Sequence, residues 1–295
     1  MGWGGGTLPN AWDRSPLLDI RPMSMDDLQL ALSWAAGEGW NPGLDDAEPF
    51  LAADPAGFLM GWLDDEPAVS IAAVAYGEAY GFIGLYICRP DLRGHAIGAR
   101  LVRTALDRLS DRPVCIDGVL SRVANYERLG FVLAHRNLRF RGSIEPTTFA
   151  DPRIRTIDAE LAPQVAAFDT EMFGCPRGGF IRAWLKPTPN RAGVALASDG
   201  EVTGFGVVRD CVSGHKIGPL FARSLDDADA ILRSLSALRP NGTFFLDVPA
   251  PNREGLELAH RHGMSVVFET ARMYRGGKWN PSLAQTFGVT SFELG

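Results

Sequence analysis

Long basic stripes are missing from this sequence, and so are long apolar runs. Its 29 lysines and arginines are outnumbered by 35 aspartates and glutamates, for a net charge of −6. That balance gives no electrostatic footprint for a polyanion, so no nucleic-acid partner is expected. No apolar stretch approaches the roughly 20 residues that span a bilayer, and no membrane partner is expected either. The amino terminus, MGWGGGTLPNAW, has no basic region followed by an apolar one, so it lacks the pattern of a secretory signal. Residues 1–17 read as a loose tail. Cysteine is scarce: Cys88, Cys115, Cys175 and Cys211 stand singly, with no CxxC pair. This argues against a structural metal and leaves buried free thiols as the expectation. Together these absences describe a cytoplasmic protein.

What the sequence does have is apolar material for two cores, with 46% hydrophobic residues over a length of 295. It also has a repeat. Ile83–Gly84 recurs 134 residues later as Ile217–Gly218, each followed by an apolar run and then an arginine, Arg89 and Arg223. Gly130 in YERLGF has a counterpart in Gly263 of HRHGM. Nine residues beyond each of these glycines stands an arginine, Arg139 and Arg272. Four landmarks in step indicate an internal duplication, and its domain-sized period means tandem domains, not a solenoid. The boundary is expected near RGSIEPTTFADPR (141–153), which is polar and carries proline.

Each half reads as the same order of elements. In the first, a strand near 19–23 precedes a helix at 25–39, with Ser24 suited to its start. A short helix at 45–53 and strand-like runs near 57–64, 67–76 and 81–88 follow. A helix after a glycine loop, a strand at 114–119, a short helix through 122–130 and a closing strand at 131–142 complete the half. The second half repeats this from Ile154, and the final FGVTSFELG looks like an extra strand.

The glycine loop lies in RPDLRGHAIGARL (89–101). A buried strand leads into it, and a helix leads out of it with Leu101, Val102, Ala105, Leu106 and Leu109 on one face. The start of a helix presents backbone N–H groups without partners, which suits anionic oxygens when no side chain intervenes. Gly94 and Gly98 remove that obstruction, Ala96 adds only a methyl, and Arg93 supplies a cation. An ordinary strand-to-helix turn that carries glycine is the plain alternative. The repeat supplies a control: the matching helix start of the second half carries Asp227 and Asp229, which repel a phosphate. The GxxxxGK[ST] of a P-loop is not met, because no Lys-Ser/Thr follows. The Rossmann GxGxxG is not met either, because these glycines are spaced GxxxG late in the domain.

The element order, the loop Arg93-Gly94-His95-Ala96-Ile97-Gly98 and the pattern from Tyr126 to Phe131 resemble the GNAT N-acetyltransferase superfamily. Its acyl-CoA signature is (Q/R)xxGx(G/A), and its second mark is YxxxGF. Ala96 departs from the usual glycine. EGWNPG (38–43), FGCPR (173–177) and the terminal FGVTSFELG extend the resemblance to a bacterial tandem group with a degenerate second domain. The implied fold is α/β, an α+β mixed sheet built as two tandem GNAT-like acyl-CoA N-acyltransferase domains, at 18–145 and 150–295.

The resemblance also implies roles. Backbone groups of Tyr86, Ile87 and Cys88 would meet the pantetheine and thioester of acetyl-CoA. The loop from Arg93 through Gly94, His95, Ala96 and Ile97 to Gly98 would take the pyrophosphate. Tyr126 would donate a proton to the leaving thiolate, a task that suits a phenol; packing beneath the final strand is its alternative. The repeat places Ala259 at the equivalent position. An amine that arrives as a cation must lose a proton, and Glu38 and Asp117 are the candidate bases, with capping or solvated roles as alternatives. Trp40 and Asn41 would line the acceptor side. Asp169, Phe173 and Arg177 of the second half would help bind an acceptor between domains. The expected activity is transfer of an acetyl group to a primary amine of a small molecule, without a metal. The alternative is a non-catalytic acyl-CoA-binding regulatory module.

Overall fold

The first helix starts on a serine cap. The Ser24 hydroxyl accepts from the N–H of Asp27, whose carboxylate accepts from the Ser24 N–H at 2.9 Å, a reciprocal cap. The first half contains β1 (Asp19–Pro22), α1 (Met25–Gly37), α2 (Ala47–Ala53), β2 (Phe58–Leu63), β3 (Glu66–Tyr76) and β4 (Tyr80–Cys88). It continues through α3 (Ile97–Arg108), β5 (Val114–Val119), α4 (Val123–Arg128) and β6 (Val132–Gly142). The second half repeats the order with β7 (Ile154–Thr156), α5 (Ala162–Phe173), α6 (Gly178–Leu185), β8 (Arg191–Ser198), β9 (Glu201–Asp210) and β10 (His215–Ala222). Then come α7 (Leu225–Ala237), β11 (Phe244–Pro249), α8 (Arg253–Arg261), β12 (Ser265–Arg275) and an added β13 (Thr286–Gly288). This computed structural model describes residues 18–94, 97–145, 151–198 and 200–295, so the expected tail at 1–17 lies outside the described residues.

The strands form one sheet in the order β1-β2-β3-β4-β5-β12-β6-β11-β10-β9-β8-β7, with β13 paired to β10. The mixed α/β character follows from parallel pairs at β4–β5 and β10–β11 within otherwise antiparallel neighbours. The closing strands are exchanged: β12 of the second half pairs with β5 of the first, and β6 of the first pairs with β11 of the second. The boundary near 145–150 therefore separates repeats, but it does not separate hydrogen-bonded units.

Alternation along β3 directs the two faces of the sheet. Ala72 and Val74 join one apolar cluster, while Ile71 and Ala73 join another with Leu101 and Ala105 of α3 and Leu109 just beyond it. The first of these clusters spans both halves, with Phe50 stacked on Trp184 at 6.3 Å between ring centroids. Gly179 lies so close to the Ala52 carbonyl that a side chain there would collide with it, which lets α2 and α6 meet backbone to backbone. Cys115, Cys175 and Cys211 are buried, Cys88 is half-buried, and all four are free thiols. Among the described residues, no helix is long and apolar enough to cross a membrane, and no group of three or more His, Cys, Asp or Glu is placed to hold a metal.

Two buried ion pairs fasten the exchange. Arg139 on β6 donates Nε and Nη2 to Asp247 on β11, both at 2.7 Å. Arg272 on β12 donates Nε and Nη2 to Asp117 on β5, at 2.7 and 2.6 Å. The two arginines are repeat equivalents, and so are the two aspartates, so each pair joins one half's closing strand to the other half's inner strand. Burial works against the charge of Arg272, yet Asp117 outweighs it and holds the guanidinium firmly protonated. Removing one partner of such a pair leaves an uncompensated buried charge. Arg272→Met is therefore expected to lose about 3–5 kcal/mol of stability. Asp117→Asn combined with Arg272→Met should recover much of that loss, read from urea unfolding midpoints.

His135 on β6 lies beside Arg272. Burial first, and then the Arg272 charge, lowers its pKa from 6.5 to about 4. The unfolded chain takes up this proton as pH falls below about 6.5, while the folded chain resists until about 4. Stability is thus expected to fall as pH drops through that window. In His135→Gln the acid limb should flatten, as measured by thermal unfolding across pH 4–7.

Candidate active site

The site is built where a ladder stops. β4 and β5 pair in parallel only over Gly81–Ile83 and Val114–Ile116, and beyond these three residues the strands part. β4 turns away at Leu85, whose φ of +47° is rare for a leucine, where the register with β3 shifts. The Ser70 hydroxyl donates to the Leu85 carbonyl at 2.8 Å and holds the turn in place. The opening is a cleft of about 680 Å³ including its mouth, walled by β4, β5, α4 and, from the second half, β12 and residues 292–293.

Tyr126 of α4 and Tyr86 of β4 both face this cleft. The Tyr126 ring lies on Gly118 so closely that a Cβ on Gly118 would strike it. Burial raises the pKa of the Tyr126 phenol, with the Val119 backbone opposing, so the group stays protonated at neutral pH. The Tyr86 hydroxyl sits over Gly98 in the first turn of α3, where any Cβ would collide with it. Ile87 and Cys88 pair with β3 on the side away from β5.

Gly94 adopts φ +84°, the left-handed conformation that favours glycine. The first turn of α3 has no acidic residue, whereas that of α7 carries Asp226 and Asp227. Arg93 donates Nε to the Cys88 carbonyl at 3.0 Å and pairs with Glu38. His95 and Ala96 lie outside the described residues. Ile97, the first residue of α3, is buried.

The other expected residues divide. Trp40 lines the cleft, and its carbonyl accepts from Arg139 Nη1 at 3.2 Å and from Lys216 Nζ at 3.0 Å. Burial, with the Arg139 charge next, lowers the Lys216 pKa to about 8. Asn41 instead exchanges two hydrogen bonds with the backbone of Ser213 in the β9–β10 hairpin. Asp117 lines the cleft, but Arg272 occupies both of its oxygens and Asn137 donates to one of them, so as a base it has no free partner. Glu38 is tied to Arg93 and is not among the residues lining the cleft.

Asp169, Phe173 and Arg177 do not line the cleft either. Arg177 and Asp169 form a bidentate pair at 0% side-chain exposure, and the guanidinium lies 3.9 Å over the Phe173 ring. Such a group offers no surface to a diffusing acceptor. Its role is structural, donating to the Thr290 hydroxyl at 2.9 Å. The sequence reading missed Phe268, Thr270, Phe292 and Glu293, all cleft-lining and all from the second half. The repeated Ile-Gly was the available signal. A Cβ on Gly84 would strike the Glu293 carbonyl, and one on Gly218 would strike the carbonyls of Val289 and Thr290.

The second half has the corresponding opening but fills it. β10 and β11 pair in parallel over His215–Ile217 and Phe244–Leu246, the same three-residue ladder. There β13 pairs with β10, and Val289 donates its N–H to the Asp247 carbonyl at 2.8 Å. Phe287 is fully buried in the place that stays open in the first half. Ala259 of α8, also fully buried, replaces the tyrosine.

Comparison with known proteins agrees with this geometry. The acetyltransferase (GNAT) family profile matches residues 22–131, and an acetyltransferase (GNAT) domain profile matches residues 165–288. The chain is 30% identical over 276 residues to holothin acyltransferase of Pseudoalteromonas sp. (strain SANK 73390), covering 93% of this chain and 94% of that protein. A candidate acetyltransferase from Pyrococcus horikoshii superposes with a TM-score of 0.80 at 22% identity over the whole of both chains. A tandem GNAT protein from the clavulanic acid biosynthesis pathway superposes at 0.61 with 11% identity, over 90% of this chain and all of that one. At these identities the two structures speak for the fold alone. With two halves matched by GNAT profiles and a relative aligned along nearly its full length, the chain belongs to the GNAT family and is a two-domain acyltransferase of that type.

Proposed function

We propose that the first half binds acetyl-CoA and transfers its acetyl group to a primary amine of a small molecule by direct attack. The parting of β4 from β5 above a carboxylate-free helix start is the observation that carries this reading. The pantetheine arm lies in the cleft against the backbone of β4. The pyrophosphate is taken by the N–H groups around Gly94–Gly98, with Arg93 swinging from Glu38 to meet it. Tyr126, protonated and facing the cleft, gives its proton to the sulfur as the C–S bond breaks. The structural contrast between halves supports one working cleft per chain, since chain fills the other. Holothin is the first acceptor to try, because the relative that aligns along most of the chain is a holothin acyltransferase.

The test is thiol release from acetyl-CoA in the presence of holothin, benzylamine or spermidine. Tyr126→Phe is expected to lower kcat by about 10²-fold or more with unchanged acetyl-CoA affinity. Gly98→Glu, which places bulk and negative charge at the helix start and against Tyr86, is expected to abolish acetyl-CoA binding in calorimetry. Acetyl-CoA binding without amine-dependent thiol release from any of the three would favour a sensing module.

A further inference from the structure

Beyond β13 the chain runs from the filled second cleft to the open first one, and it is anchored along the way. The Thr290 carbonyl accepts from Arg209 at 3.3 Å, and Tyr76 donates its hydroxyl to the Leu294 carbonyl at 2.9 Å. Every residue from Thr286 to Leu294 is buried. Glu293 therefore arrives at the wall of the first cleft in a fixed position, its carbonyl packed on Gly84, the residue after the last rung between β4 and β5.

The side chain of Glu293 is unusual there. The residue is only 4% exposed and lines the cleft, yet its Oε2 has no hydrogen-bond partner among the described residues. Thr270 of β12 is a second such group on the same wall, 3% exposed, with its Oγ1 unpartnered. A buried carboxylate oxygen without a donor is costly, and a ligand that brings an N–H relieves that cost. The charge of Glu293 acts on three nearby cations, Arg139, Arg209 and Lys216, but their hydrogen bonds go elsewhere. Arg139 is held by Asp247, Arg209 by Asp46, and Lys216 donates to Trp40. Of the two acids expected to serve as base, Asp117 is occupied by Arg272, and Glu38 is not among the residues lining the cleft.

We infer that Glu293, delivered by the second half, is the catalytic base that takes the proton of the acceptor amine in the first half's cleft. The inference rests on the transferase reading above. The ammonium passes one proton to the Glu293 carboxylate, and the freed nitrogen lone pair forms the C–N bond at the thioester carbonyl. The C–S bond breaks with its electron pair on sulfur, which takes the Tyr126 proton. The amide nitrogen returns its excess proton to the Tyr126 phenolate, and Glu293 releases its own to solvent. Thr270 accepts a second N–H and orients the amine. The second half thus serves catalysis through its wall, although β13 fills its own parallel-strand opening.

The experiment compares wild type, Glu293→Gln and Glu293→Ala with acetyl-CoA and whichever of holothin, benzylamine or spermidine the wild type turns over fastest. Glu293→Gln is expected to lower kcat by about 10²-fold or more, with acetyl-CoA affinity and the urea midpoint at wild-type values. Added formate should restore part of the rate to Glu293→Ala, a response that a merely structural side chain would not give. A wild-type kcat in Glu293→Gln overturns the inference, as does a loss of acetyl-CoA affinity or stability that accounts for the lost rate, or an absent formate response. A wild type idle on all three amines removes the transferase reading and this one together. A working wild type with an unimpaired Glu293→Gln removes this one alone.

Discussion

Two crossed arginine–aspartate pairs hold this molecule in its form. Arg139 reaches from the first half to Asp247 in the second, and Arg272 reaches back to Asp117. Each is bidentate and buried, so each demands its partner in one geometry. Because the arginines ride on the closing strands, pairing Arg272 with Asp117 and Arg139 with Asp247 sets β12 against β5 and β6 against β11. The continuous sheet, the shared apolar cluster and the cleft wall made from the other half all follow from that crossing.

Duplication gave both halves the same opening, and they have since diverged in what occupies it. The three-residue parallel ladders at β4–β5 and β10–β11 are superimposable in register. In the second half, β13 and Phe287 occupy the gap, aspartates sit at the helix start, and Ala259 stands where a phenol would be. In the first half the gap is open, the helix start is free of acids, and Tyr126 faces the cleft. The filling segment then goes on to furnish part of the open cleft. The segment that closes one opening is scaffold for the other.

Much of this was legible in the sequence, for identifiable reasons. Helices and strands of the first half follow from apolar periodicity and from caps such as Ser24, which are local signals. The glycine loop was legible because the proposed anion site depends on what is missing at Gly94 and Gly98, and sequence records missing side chains directly. The crossing of strands was not. Arg139 and Arg272 are equivalents, as are Asp117 and Asp247, so exchanged and unexchanged pairings satisfy the same pattern. Asp169 and Arg177 look like a site because an acid and a base lie close together, but only packing shows that they are sealed at 0% exposure. The cleft residues Thr270 and Glu293 are far from Tyr126 in sequence, and only the fold brings them near.

The crossing has a consequence for a chain made from its amino terminus. When β5 and β6 leave the ribosome, β12 is still more than a hundred residues behind them along the chain. During that interval β5 presents a bare edge, and β6 carries a guanidinium able to meet Asp117 as Arg272 later does. The nascent first half therefore has a self-sufficient pairing open to it, which the finished protein must abandon when its second half arrives.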